Sequence, residues 1–146
     1  MISDELKSFP VVAGLEIAVP SALRGGNYDR QVYMTNGGEL VFGVYPGSTK
    51  YIRTPAVYND GQWHQVVATC GGGTIRLYVD GEQIKSAAAT GAQTYNGYWR
   101  VGGDNLSGWP IAPSSYYFNG TVDEFAVYSA VLDPSSIAQR YALGIG

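Results

Sequence analysis

Hydrophobic and polar residues alternate along much of this chain with the period of two that belongs to a half-buried strand. Residues 74–80 (TIRLYVD) show it best: Ile75, Leu77 and Val79 fall on one side, Arg76 and Tyr78 on the other. Residues 63–70 (WHQVVATC) precede them across Gly71-Gly72-Gly73, so the pattern predicts a hairpin. The same logic places strands at 29–35 (DRQVYMT) and 39–45 (ELVFGVY), with Leu40, Phe42 and Val44 on one face. Asn36-Gly37-Gly38 between them suits a tight turn, because Asn and Gly tolerate positive φ.

Pro46-Gly47-Ser48 and Asp80-Gly81 mark two more turns, with short strands expected at 49–54 and 83–87. A strand at 98–101 (YWRV) ends at Gly102-Gly103, and residues 104–116 then read as a binding loop or a packed Ω-loop. The last strand is expected over 118–128 (FNGTVDEFAVY), with Val122, Glu124 and Ala126 on one face and Asp123, Phe125 and Val127 on the other. Asp133 fits an N-cap and Pro134 the first helical position, so a helix is predicted from 134 to 142, burying Ile137 and Tyr141. The start is the least regular part: residues 9–19 (FPVVAGLEIAV) predict a strand that Pro10 and Gly14 confine to an edge or a bulge.

Composition narrows the class. At 146 residues the chain is sized for one domain, and 45% apolar residues exclude disorder. Charged residues are only 14%, the net charge is −3 and no basic cluster exists, which argues against nucleic acid and against an anionic membrane surface. No run approaches the ~20 apolar residues of a membrane span. The first residues, MISDELKSFPVVAG, lack the basic region of a secretory signal. Cys70 is the one cysteine, which rules out an intramolecular disulfide and a thiolate metal site; a buried thiol is expected.

Three strings, in order, carry a family resemblance: YNDGQWHQVVATCGGGTIRLYVDG (58–81), YWRVGG (98–103) and FNGTVDEFAVYSAVLDPSSIAQRYALG (118–144). They resemble the laminin G-like (LamG-like) jelly-roll domain of the concanavalin A-like lectin and glucanase superfamily. The resemblance covers residues 27–144 and implies an all-β fold: a two-sheet antiparallel jelly-roll sandwich with one short C-terminal helix. It also implies a non-catalytic module of secreted or cell-surface proteins. Residues 27–146 are thus expected to form the LamG-like domain, and 1–26 an atypical or truncated N-terminal segment. Strands missing from that segment leave sheet edges open, to be covered by residues 9–19 or by self-association with a second chain.

Candidate chemistry is sparse. His64 is the one histidine and falls in the expected WH strand, where a hydrogen-bonded structural role is favoured over a general base. No Gly-x-Ser-x-Gly elbow is present. Glucanases of the superfamily carry carboxylates at alternate positions of one strand. Here Asp123 and Glu124 are adjacent and point to opposite faces, so they do not form a hydrolytic pair. Asp123 is expected on the core side, accepting backbone N–H groups at a turn. The resemblance also suggests calcium at a rim loop, with Asp104, Asn105 and Asp123 as candidate ligands.

Sugar binding draws on aromatic faces and amides, and the chain is 13% aromatic with twelve Tyr. Trp109, Tyr116, Tyr117 and Asn105, in or beside the long loop, are the candidate ligand-binding residues. Tyr and Trp anchor protein interfaces as well, so an extracellular protein is the other partner class. Asn105-Leu106-Ser107 and Asn119-Gly120-Thr121 match the glycosylation acceptor pattern, with a packing role favoured for Asn119. The expected function is therefore a non-catalytic extracellular recognition module for carbohydrate, part of a longer secreted or surface protein. The alternatives are a structural or adhesive spacer, or an accessory domain of a larger secreted hydrolase.

Overall fold

The hairpin expected around the three glycines sets the pattern for the whole molecule. The computed structural model describes residues 7–14, 29–93 and 99–144. Within them the chain forms β1 (Lys7–Gly14), β2 (Gln31–Met34), β3 (Glu39–Val44), β4 (Lys50–Val57), β5 (Val66–Gly71) and β6 (Thr74–Val79). Then follow β7 (Glu82–Ala88), β8 (Gly120–Tyr128) and the helix α1 (Pro134–Gly144). Residues 15–19 of the expected first strand, and Tyr98, lie outside the described residues.

Two sheets form a sandwich: β7-β6-β5-β1-β8 and β2-β3-β4. Pairing is antiparallel except at β1, which runs parallel to both β5 and β8. The alternating residues meet between the sheets as expected: Leu40, Phe42 and Val44 face Ile75, Leu77 and Val79 in one buried cluster that also takes in Ile52 and Cys70. Burying a side chain such as Phe42 contributes about 1.5–3 kcal/mol. Outside this core, Val67 and Tyr78 on the back of the five-stranded sheet pack against Ile137 of α1. Asp133 caps that helix by accepting the Ser136 N–H at 3.0 Å and the Ser135 and Ser136 hydroxyls. Those bonds hold its carboxyl well below the usual range.

Two strands depart from the simple pattern, each for a local reason. β4 extends past Thr54 to Val57 although Pro55 has no N–H to give the ladder, and the register shifts there. The buried Thr54 hydroxyl substitutes, accepting the Leu40 N–H at 3.0 Å and donating to the Ala56 carbonyl at 2.8 Å. In β8 a bulge follows Asp123, with Glu124 at φ 53°. The bulge overturns the expected faces: Asp123 and Phe125 are exposed, and Val127 packs on the core. Asp123 accepts the Glu124 N–H at 2.8 Å, so it stabilises the bulge from the surface. Residues 99–101, the described part of the strand expected at 98–101, join no sheet among the described residues; Gly103 makes an isolated bridge to Tyr117.

Among the described strands the two sides of the sandwich differ: β4 packs over β7 and β6 on one, whereas β2 and β8 are the last strands of their sheets on the other. From residues 104–113, Leu106, Trp109 and Ala112 pack on Tyr33 and Val41 at the outer face of β2 and β3, while Asp104 and Pro113 line the space between β2 and β8.

Candidate functional site

A cleft of about 610 Å³ lies between β2 and β8. Its floor is the inner surface of both sheets, with Leu40 and Phe42 from one and Val66 and Ala68 from the other. Val32 and Met34 form one wall, Val122 and Phe125 the opposite one. Around the mouth stand Trp99, Arg100, Tyr116 and Tyr117, with the amides of Asn59 and Asn119. Trp99 is 41% exposed and Tyr117 78%, so both rings are open to solvent.

Short-range bonds fix this mouth. Asn36, in the turn after β2, accepts the Ser114 N–H at 3.0 Å and so ties the long loop to the hairpin. Tyr33 donates its hydroxyl to the Pro110 carbonyl in the middle of the loop. Burial, with Tyr51 nearby, holds that phenol well above the ordinary tyrosine value. Asn59 sits over Gly38, which has a φ of 95° that favours glycine, and a Cβ there would fall 2.3 Å from Asn59 Oδ1. Where the chain enters β2, the buried Asp29 carboxylate accepts the N–H groups of Arg30, Tyr45 and Gln93, and Arg30 donates to the Gln93 carbonyl at 2.7 Å.

The residues singled out from sequence part company here. Tyr116 and Tyr117 line the cleft. Trp109 is half-buried and turned onto the three-stranded sheet, with its ring against Gly43. Asn105 is exposed and accepts the Ser107 N–H at 2.9 Å, a local turn. Asp104 lines the cleft, and its Oδ1 takes Arg100 Nη1 at 3.1 Å and the Asn105 N–H at 2.7 Å. Among the described residues no three carboxylate, histidine or cysteine groups converge as metal ligands. Of the residues suggested for calcium, Asp104, Asn105 and Asp123 each accept a nearby backbone N–H, from Asn105, Ser107 and Glu124 respectively.

Sequence reasoning missed Trp99, Asn59 and Asn119 as neighbours of one cleft. Trp99 had been absorbed into an expected strand, and the two asparagines come together only through the topology of the sheets. His64 lies just before β5, outside the ladder in which it was expected, because β5 starts at Val66. Its Nδ1 is 2.8 Å from Asp80 Oδ2, its Nε2 3.1 Å from Asp60 Oδ1, and its ring meets Tyr58 edge-on at 5.0 Å. Burial pulls its pKa down, but the Asp80 and Asp60 carboxylates outweigh burial and hold it above the ordinary histidine value. Asp80 also accepts the Gln65 N–H at 3.0 Å, so the imidazole clips the turn after Asn59 to the turn after β6.

A laminin G family model, described as Concanavalin A-like lectin/glucanases superfamily, matches residues 12–138. The chain belongs to this superfamily. The lectin/glucanase match runs from β1 into α1 and so takes in both sheets and both walls of the cleft. Among solved structures, an S-layer domain-containing protein from Clostridium thermocellum (residues 221–444) is similar at 18% identity and TM-score 0.47, over 86% of this chain and 69% of that one. No curated protein matches the chain. Among the described residues no helix is long and apolar enough to cross a membrane.

Proposed function

We propose that this lectin/glucanase-superfamily chain is a non-catalytic extracellular recognition module that binds glycans at the mouth of the β2–β8 cleft. One observation carries the reading: Trp99, Tyr116 and Tyr117 expose aromatic faces around a single concavity that also holds Asn59 and Asn119. Sugar rings stack on such faces while amides take their hydroxyls, the mixture of apolar surface and few polar groups expected of a ligand site. A non-catalytic role is supported by the carboxylates. Asp104 is the one acid among the described lining residues and is engaged by Arg100, whereas glycoside hydrolysis needs two carboxyl groups flanking one bond.

A glycan array followed by calorimetry on soluble oligosaccharides tests this reading. The protein is expected to bind at least one polysaccharide class, and Trp99→Ala and Tyr117→Ala each to weaken that binding about tenfold or more, a loss of ~1.4 kcal/mol. Silence across the array would sink the glycan reading and favour a spacer held by protein contacts.

A further inference from the structure

Among the described strands one sheet has five and the other three, and the cleft occupies the difference. β4 packs over β7 and β6, and β3 over β6. The strand order then sets β2 over β5 and leaves β1 and β8 with no described strand opposite them. A strand added about 4.8 Å beyond β2 would continue the narrow sheet and lie face to face with the wide one at the usual ~10 Å. The cleft runs along that line, touching every residue from Arg30 to Asn36.

The backbone of β2 is turned toward this space. The Thr35 N–H bonds to the Glu39 carbonyl at 2.9 Å, which fixes the sense of alternation along the strand. The peptide groups of Gln31 and Tyr33 therefore face β3, opposite Gly43 and Val41, and those of Val32 and Met34 face away from it. No described strand takes them up. The side chains of Val32 and Met34 meanwhile pack on the core. The edge thus offers main-chain donors and acceptors beside an apolar floor.

The floor decides the kind of occupant. Leu40, Phe42, Val66 and Ala68 give a sugar hydroxyl nothing to bond. The two cations of the wall are already engaged, Arg30 by Asp29 and Arg100 by Asp104. An occupant that is uncharged, apolar at alternate positions and able to hydrogen-bond along one side is an extended peptide. We propose that this slot accepts such a segment of a partner protein, which pairs with β2 through Val32 and Met34 and turns every second side chain toward Phe42 and Val66. The aromatic residues proposed for glycans stand at the mouth of this same cleft, whereas the peptide would lie along its floor and the β2 edge, and neither reading depends on the other.

Amide exchange of the whole chain, followed by NMR, tests the slot. The probe is a capped peptide alternating threonine with valine and long enough to span β2. With free peptide at about ten times Kd, exchange of the Val32 and Met34 amides should slow about tenfold. The same peptide N-methylated along one edge should not bind. Val32→Pro removes a donor that faces the slot without touching a β2–β3 bond, as proline permits on an edge strand, and should abolish the protection while the circular dichroism spectrum is kept. Absence of protection, or equal binding by the N-methylated peptide, would overturn the proposal. So would equal protection by soluble oligosaccharides, or a dimer in light scattering that protects both amides before any peptide is added.

Discussion

The Trp109 indole lies so close to Gly43 that a methyl carbon built on the glycine would fall 2.6 Å from Cζ3 and 3.1 Å from Cε3. Gly43 is in the middle strand of the narrow sheet, between Gln31 and Tyr51, and its missing side chain is the seat of the ring. The long loop is thereby pressed onto the sheet as an outer layer, with Leu106 buried beneath it.

Gly43→Ala should therefore destabilise the protein by overpacking, by about 1–3 kcal/mol. Most of the cost should vanish when Trp109 is already alanine, because the indole is the nearest obstacle to the added methyl and the Lys50 carbonyl, next at 3.4 Å, is an ordinary contact. Urea denaturation of both single variants and the double variant measures this. Additive losses would show that the ring moves aside and that the glycine matters for another reason.

At Thr54 the expected effect comes from a lost acceptor. Thr54→Val keeps the shape of a fully buried side chain but leaves the Leu40 N–H without its partner beside Pro55. A buried donor stranded in this way costs about 1–3 kcal/mol. Thr54→Ser, which restores the hydroxyl, should recover the hydrogen-bonding part of that loss. The comparison of the two denaturation midpoints checks it.

These two sites also show where sequence reading stops. The alternation of Ile75, Leu77 and Val79 was legible because each residue's face follows from a period of two, whatever surrounds it. At Pro55 and at Glu124 the period slips, and the slip depends on which strand lies alongside, so the exposure of Asp123 and Phe125 could not be read from their spacing. Trp109 illustrates the same limit for the site. A tryptophan in a Gly- and Ser-rich loop suits a ligand, and only the register of β3 reveals that a glycine waits opposite. The cleft itself is a product of topology: Asn59, Trp99 and Asn119 are far apart in the chain and have no shared motif.

His64 supplies the pH dependence. Its pKa in the folded protein lies above the ordinary value of 6.5, because Asp80 and Asp60 favour the imidazolium more than burial opposes it. A group whose pKa rises on folding stabilises the fold fully below its unfolded value, and that stabilisation is lost as pH climbs through the folded value. Tm should accordingly fall between about pH 6 and pH 8, the range in which a raised histidine loses its proton. Asp80→Asn removes one of the two carboxylates holding the ring and the anionic acceptor of the Gln65 N–H, so it should lower Tm at pH 6 and flatten the slope above it. His64→Gln should flatten that slope as well. A wild-type Tm that stays level across this range, or a slope unchanged in both variants, would show that the clip between the two turns does not depend on the charge of the imidazole.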